Sequence, residues 1–146
     1  MNNKYNHLKF NIIPKAYKYV LIDEDESNLK KESIIHNILQ ENEPSAIFID
    51  KNEFSIIVNC DFNIKASILK VESDWCCFKI IGDMPFGTVQ GLISKVSVAL
   101  MKKNIGVCVV STFKTDFFFI RKKYECEMIS LLKEEGWEFT DNEYKI

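Results

Sequence analysis

The stretch Trp75–Ile120, WCCFKIIGDMPFGTVQGLISKVSVALMKKNIGVCVVSTFKTDFFFI, carries the signals that decide the fold. Cys76 to Ile81 is a short apolar run rich in β-branched and aromatic residues, and Gly82-Asp83-Met84-Pro85 breaks it. It reads as a buried strand. Past Gly87-Thr88-Val89-Gln90-Gly91 the period changes: Val89, Leu92, Ile93, Val96, Ala99 and Leu100 fall on one helical stripe and leave Lys95, Lys102 and Lys103 on the wet side. Thr88 is placed to cap the start of this helix. Asn104, which tolerates left-handed geometry, is placed to end it. Gly106 to Ser111 then forms a second apolar strand, Thr112-Phe113-Lys114-Thr115 turns, and Asp116 to Ile120 returns as a third.

Working outward, Arg121 to Glu135 reads as a second helix with Tyr124, Met128, Leu131 and Leu132 on one face and Gly136 as its stop. Trp137–Thr140 can return to the sheet edge as a last strand. The order β-α-β-β-α-β from Trp75 onward is the ferredoxin-like plan, in which two helices cover one face of an antiparallel sheet. Upstream, Leu8–Ile13 and Tyr17–Ile22 read as strands, Ser27–Glu43 as a helix facing inward through Ile34, Ile35, Ile38 and Leu39, and Ala46–Ile49 with Phe54–Val58 as a hairpin turning at Asp50–Glu53. Asp61–Ser73 reads as a linker. The fold class is therefore α+β, a tandem sandwich of antiparallel sheets with residues 1–70 as a degenerate first unit and 71–146 as a complete second one.

Composition narrows the function. With 146 residues and 47% of them apolar, the chain can bury a normal core. A net charge of −2 and a single arginine, Arg121, argue against a nucleic-acid binder, which neutralises phosphates with clustered cations. No apolar run approaches the roughly 20 residues needed to cross a bilayer, and MNNKYNHLKF has no secretory core. The expected location is the cytoplasm, without a membrane partner. Cys60, Cys76, Cys77, Cys108 and Cys126 are odd in number and form no C-x-x-C pair, so they read as packed thiols. His7 and His36 lack ligand spacing, and Asp23–Glu26 reads as a solvated turn, so no metal is expected. No nucleophile–base pair and no phosphate cradle is visible, and no catalytic residue is assigned. The expectation is a protein that is not an enzyme and needs no cofactor.

The residues Trp75, Ile80-Ile81-Gly82, Phe86-Gly87, Gly91-Leu92, the hairpin from Ile105 to Asp116, and Leu131 to Gly136 resemble the ACT-domain family, in the tandem branch found in the cytosolic arginine sensor and in aspartate kinases. The resemblance implies a non-catalytic regulatory unit that senses a free amino acid where two ACT units meet. By family position the ligand residues are Gly87, Thr88, Gln90, Thr112, Phe113, Thr115 and Asp116. A zwitterion's ammonium seeks a carboxylate, which Asp116 supplies, and its carboxylate seeks N–H groups at a helix start, near Gly87, Thr88 and Gln90. Val89-Gln90 stand where the arginine sensor carries an acidic group, a departure that argues against a cationic ligand side chain. Beside this stand plainer readings: Gly87 and Gly91 permit a tight turn, and Asp116 caps its own hairpin. The resemblance also implies a homodimer, with either an enzyme partner or a pure interaction role in which no ligand binds.

Overall fold

In the computed structural model, residues 7–83 and 91–140 are described. Residues 15–74 form one compact unit, here the continuous unit, and the described residues on either side form the other, the split unit. The sequence reading assigns residues 7–14 to the first unit; in the structure they count with the second. The cause is β1 (Lys9–Ile12), which pairs antiparallel with the later part of β5 (Ile68–Ile81), Phe10 opposite Ile80.

In the split unit the strand order is β1-β5-β7-β6, where β6 is Cys108–Ser111 and β7 is Asp116–Arg121. Cys77 lies opposite Phe119, and Val109 opposite Phe118. The ferredoxin-like plan would put the final strand beside β5, but β1 holds that place. Trp137–Thr140 instead lies along β1 in parallel: Phe10 donates its N–H to the Glu138 carbonyl at 2.8 Å, and Thr140 donates to the Phe10 carbonyl at 2.9 Å. Phe10 joins the two strands to one aromatic core. Phe10 is fully buried, with its ring 5.2 Å from Phe78 and 4.6 Å from Trp137. Phe78 in turn stacks on Phe118 at 5.0 Å with the ring planes 8° apart.

Two helices, α2 (Leu92–Met101) and α3 (Glu125–Glu134), cover one face of this sheet. Leu92, Val96, Ala99 and Leu100 from α2 and Met128, Leu131 and Leu132 from α3 share a core with Phe10, Phe78, Ile80, Phe118 and Ile120. α2 starts after Gly91, whose φ of +75° a residue with a side chain rarely adopts, so the helix opens at Leu92. Thr88 lies outside the described residues. Both helices end in the same way: Asn104 (φ +56°) and Gly136 (φ +93°) turn left-handed, and the next N–H, of Ile105 or Trp137, bonds back to Leu100 or Leu132. Ile105 and Trp137 are themselves buried, which supplies the apolar contact that accompanies this C-terminal motif.

The continuous unit follows the same plan with one helix fewer. Its strands β2 (Tyr17–Ile22), β3 (Ala46–Asp50) and β4 (Glu53–Asn59) stand in the order β3-β4-β2, with β5 next. Helix α1 (Asn28–Ile38) lays Ile34 and Ile38 on Val20, Ile22, Phe54, Ile56 and Val58; Leu39, expected on that face, lies just past the helix and is exposed. Where a complete βαββαβ unit has a second helix, the chain has only Cys60–Ser67. The expected linker Asp61–Ser73 is thus a strand from Ile68 on. It is anchored at its start, because Asp23 donates to the Ser67 carbonyl and Ser67 donates to the Glu26 carboxylate at 2.7 Å.

Candidate functional site at the hairpin mouth

The β6–β7 hairpin is built by its threonines. Thr112 N–H donates to the Thr115 carbonyl at 2.8 Å, the Thr112 hydroxyl donates to the same oxygen at 3.0 Å, and it accepts from the Thr115 N–H at 3.2 Å. One side chain thus satisfies both sides of a four-residue turn. Thr115 is buried, and its hydroxyl donates to the Ile80 carbonyl at 2.7 Å. The turn is therefore clipped to β5 just before that strand ends. Phe113 projects at the tip, 76% exposed.

Asp116 sits at the mouth of this hairpin, half-buried, directly opposite Ser111. The Ser111 hydroxyl donates to Asp116 Oδ1 at 2.7 Å. This cross-strand bond orients the carboxylate. Ser111 belongs to the hairpin motif but is not among the expected ligand residues; strand register sets it opposite Asp116.

The exit from β5 is fixed from the other side. Gly82 has φ +133°, and a Cβ at that position would come within 2.7 Å of the His7 carbonyl oxygen and 2.8 Å of Leu8 Cδ2. Only glycine fits between β5 and the entering chain. His7 Nε2 bonds to the Asp83 carbonyl at 2.9 Å, which holds the first residue after Gly82. Among the expected ligand residues, Thr112, Phe113, Thr115 and Asp116 are brought together on one hairpin. Gly87, Thr88 and Gln90 lie outside the described residues.

In the continuous unit the corresponding end, where the β2–α1 turn meets the β3–β4 hairpin, carries an open groove of about 260 Å³. Glu24, Asn28, Lys31, Ile35, Lys51 and Phe54 are among its walls. Lys31 bonds to the Glu24 carbonyl and holds its ammonium 5.8 Å from the centre of the Phe54 ring. The acidic turn beside it is not simply solvated. The backbone N–H groups of Ser67 and then Ser27 hold the Glu26 carboxyl below its ordinary range.

The thiols divide. Cys76 and Cys77 are buried, Cys60 is half-buried, and Cys108 and Cys126 are exposed, so the expectation of packed thiols holds for two of the five. Burial pushes the Cys76 thiol up to about 12, with Glu125 adding to it, and raises Cys77 further. Neither is a nucleophile near neutral pH. Among the described residues no group of three or more His, Cys, Asp or Glu could hold a metal ion, and no helix is long and apolar enough to cross a membrane.

The family model described as "ACT domain" matches residues 70–134. No curated protein matches the chain. Among solved structures, a protein from Agrobacterium tumefaciens is 25% identical with a TM-score of 0.74, over 92% of this chain and 92% of that one. The regulatory subunit of aspartate kinase from Thermus thermophilus, in ligand-free form, has a TM-score of 0.60 at 9% identity, over 86% of this chain and 95% of its own. A structure of aspartokinase alpha and beta subunits has a TM-score of 0.60 at 15% identity, over 86% of this chain and 95% of that one. The last two likenesses are of fold.

Proposed function

We propose, from the match of residues 70–134 to the ACT-domain family model, that this protein is a non-catalytic sensor of a free amino acid and that Asp116 receives the ligand's ammonium. The observation that carries this reading is the Ser111–Asp116 bond at the hairpin mouth. A carboxylate already oriented by a neighbouring hydroxyl loses little freedom when a cation arrives. Thr112 and Phe113 supply the facing wall. Gly87, Thr88 and Gln90, ahead of α2 in the chain, would offer the ligand's carboxylate their backbone N–H groups. The protein acts in the cytoplasm as a homodimer, with the continuous unit, residues 15–74, as a degenerate ACT unit and the split unit as a complete one.

Binding can signal only through a difference in affinity between two states of the protein, so the output is a change in self-association or in the hold on a regulated enzyme. The test is thermal unfolding against each of the twenty amino acids, with wild type and Asp116→Ala side by side. One amino acid should raise the wild-type midpoint with increasing concentration and leave the variant unmoved. A shift retained by Asp116→Ala removes that carboxylate from the site. A flat panel on wild type replaces the sensor by an interaction module without a ligand.

A further inference from the structure

The groove between α1 and the β3–β4 hairpin takes no part in the hairpin-mouth site, and all of its walls belong to the continuous unit. Its volume of about 260 Å³ falls below the roughly 300–1,000 Å³ of pockets that hold drug-sized ligands, so it suits a small metabolite. The apolar lining comes from Phe54, which is buried, Ile35, which is half-buried, and Ile49, which stays 64% exposed. A ligand's apolar tail laid against Ile49 would remove that area from water.

Lys31 is the cation fixed in this groove. Its ammonium bonds to the Glu24 carbonyl and stands 5.8 Å from the centre of the Phe54 ring, so the charge is held beside the apolar lining instead of extending into water. A lysine ammonium carries three donors. Among the described residues the Glu24 carbonyl is the acceptor that Lys31 meets, which leaves donors for a ligand's anion. The acids around it limit that anion. Asp50 accepts from the Lys51 N–H and Glu53 from the Ser55 hydroxyl, each at 2.6 Å, so the hairpin's carboxylates are tied to their own turn. Glu24 and Glu32 add negative charge from the β2–α1 turn and the helix. A phosphate or a dicarboxylate would bring a second charge into walls that already hold more acids than lysines. We infer that this groove is a second binding site, which takes a small monocarboxylate with an apolar tail. The carboxylate rests on Lys31 Nζ, and the tail covers Ile35, Ile49 and Phe54. An apolar amino acid and its oxo acid share this chemistry; they differ at the α-position, where an ammonium gains from Glu24 or Glu32.

This inference does not rest on Asp116, and its test separates the two sites. Amide shifts of the full chain are followed by NMR as leucine, α-ketoisocaproate, isoamylamine and succinate are added in turn. Wild type is compared with Lys31→Met, Lys31→Arg, Ile49→Ser and Asp116→Ala, and each spectrum reports whether its protein is folded. At least one of the two branched carboxylates should move the amides of Lys31, Ile35, Ile49 and Phe54. If both do, carboxylate and tail suffice; leucine alone identifies a free amino acid as the source, and α-ketoisocaproate alone an oxo acid. Lys31→Met keeps the apolar stem and should weaken this binding about tenfold or more, whereas Lys31→Arg should retain it. Ile49→Ser, at an exposed position, should weaken it several-fold, and Asp116→Ala should leave it unchanged. The groove is overturned if neither carboxylate moves these amides, if isoamylamine or succinate binds as tightly, or if Lys31→Met or Ile49→Ser binds like wild type. Shifts confined to Thr112–Asp116 and lost in Asp116→Ala would uphold the hairpin-mouth site and overturn this one.

Discussion

The Thr115 hydroxyl donates to the Ile80 carbonyl at 2.7 Å, and this bond fastens a hairpin that carries Asp116 to the strand that precedes α2 in the chain. Thr115 is 9% exposed, so a valine there would leave the carbonyl short of a donor with little water to replace it. Thr115→Val should destabilise the protein by about 1–3 kcal/mol. Thr115→Ser keeps the donor and should recover the hydrogen-bond part of the loss. Urea midpoints of the three proteins check this, and amide exchange should quicken at Thr112 and Thr115 in the valine variant alone.

Gly82 shows the same end of the sheet under steric control. A Cβ would meet backbone at 2.7 Å, and the φ of +133° is one that side chains disfavour, so the substitution cannot be absorbed by a rotamer change. Gly82→Ala should cost about 1–3 kcal/mol or more through strain and displacement of His7 and Leu8. A thermal midpoint equal to that of wild type would contradict the described approach of the two segments.

Much of this was legible in the sequence because it follows from period and punctuation. Of the expected stripe on α2, Leu92, Val96, Ala99 and Leu100 are buried while Ile93 is exposed, and Asn104 and Gly136 adopt the left-handed geometry for which those residue types are suited. What the sequence could not supply depends on pairing at long range. Nothing in Lys9–Ile12 indicates that it will sit beside Phe78–Ile81, seventy residues away, and displace the final strand from that place. Ile68–Ser73 falls in the expected linker because a strand exposed on both faces shows no alternation. For the candidate site, the hairpin residues were visible as a motif. The orientation of Asp116 by Ser111 is a product of register, which a motif does not encode.

Glu26 links stability to pH. Its carboxylate accepts from the Ser67 and Ser27 N–H groups and pairs with Lys30 at 3.5 Å, so its folded pKa is depressed. A depressed carboxylate contributes stability that is fully present above its unfolded pKa and is lost as pH falls through the folded one. Glu26→Gln should therefore lower the urea midpoint at pH 7. The gap between the two proteins should close as the pH is brought below the ordinary carboxylate range. A gap that does not change with pH would mean that the ionised form of Glu26 does not hold the start of β5.

The thiols provide a count that needs no variant. At pH 8 a thiol whose pKa lies near 12 is ionised in about one molecule in ten thousand, and burial blocks access to Cys76 and Cys77 as well. Cys108 and Cys126 are exposed and should react first with a disulfide reagent in the native protein. Half-buried Cys60 should follow more slowly. Cys76 and Cys77 should react only on unfolding, at the rate at which the split unit's sheet opens, because they lie opposite Ile120 and Phe119 in its β5–β7 ladder. Native titration should thus stop at three thiols and denatured titration reach five. A fourth thiol reacting under native conditions would show that β5 and β7 part far more readily than their burial allows.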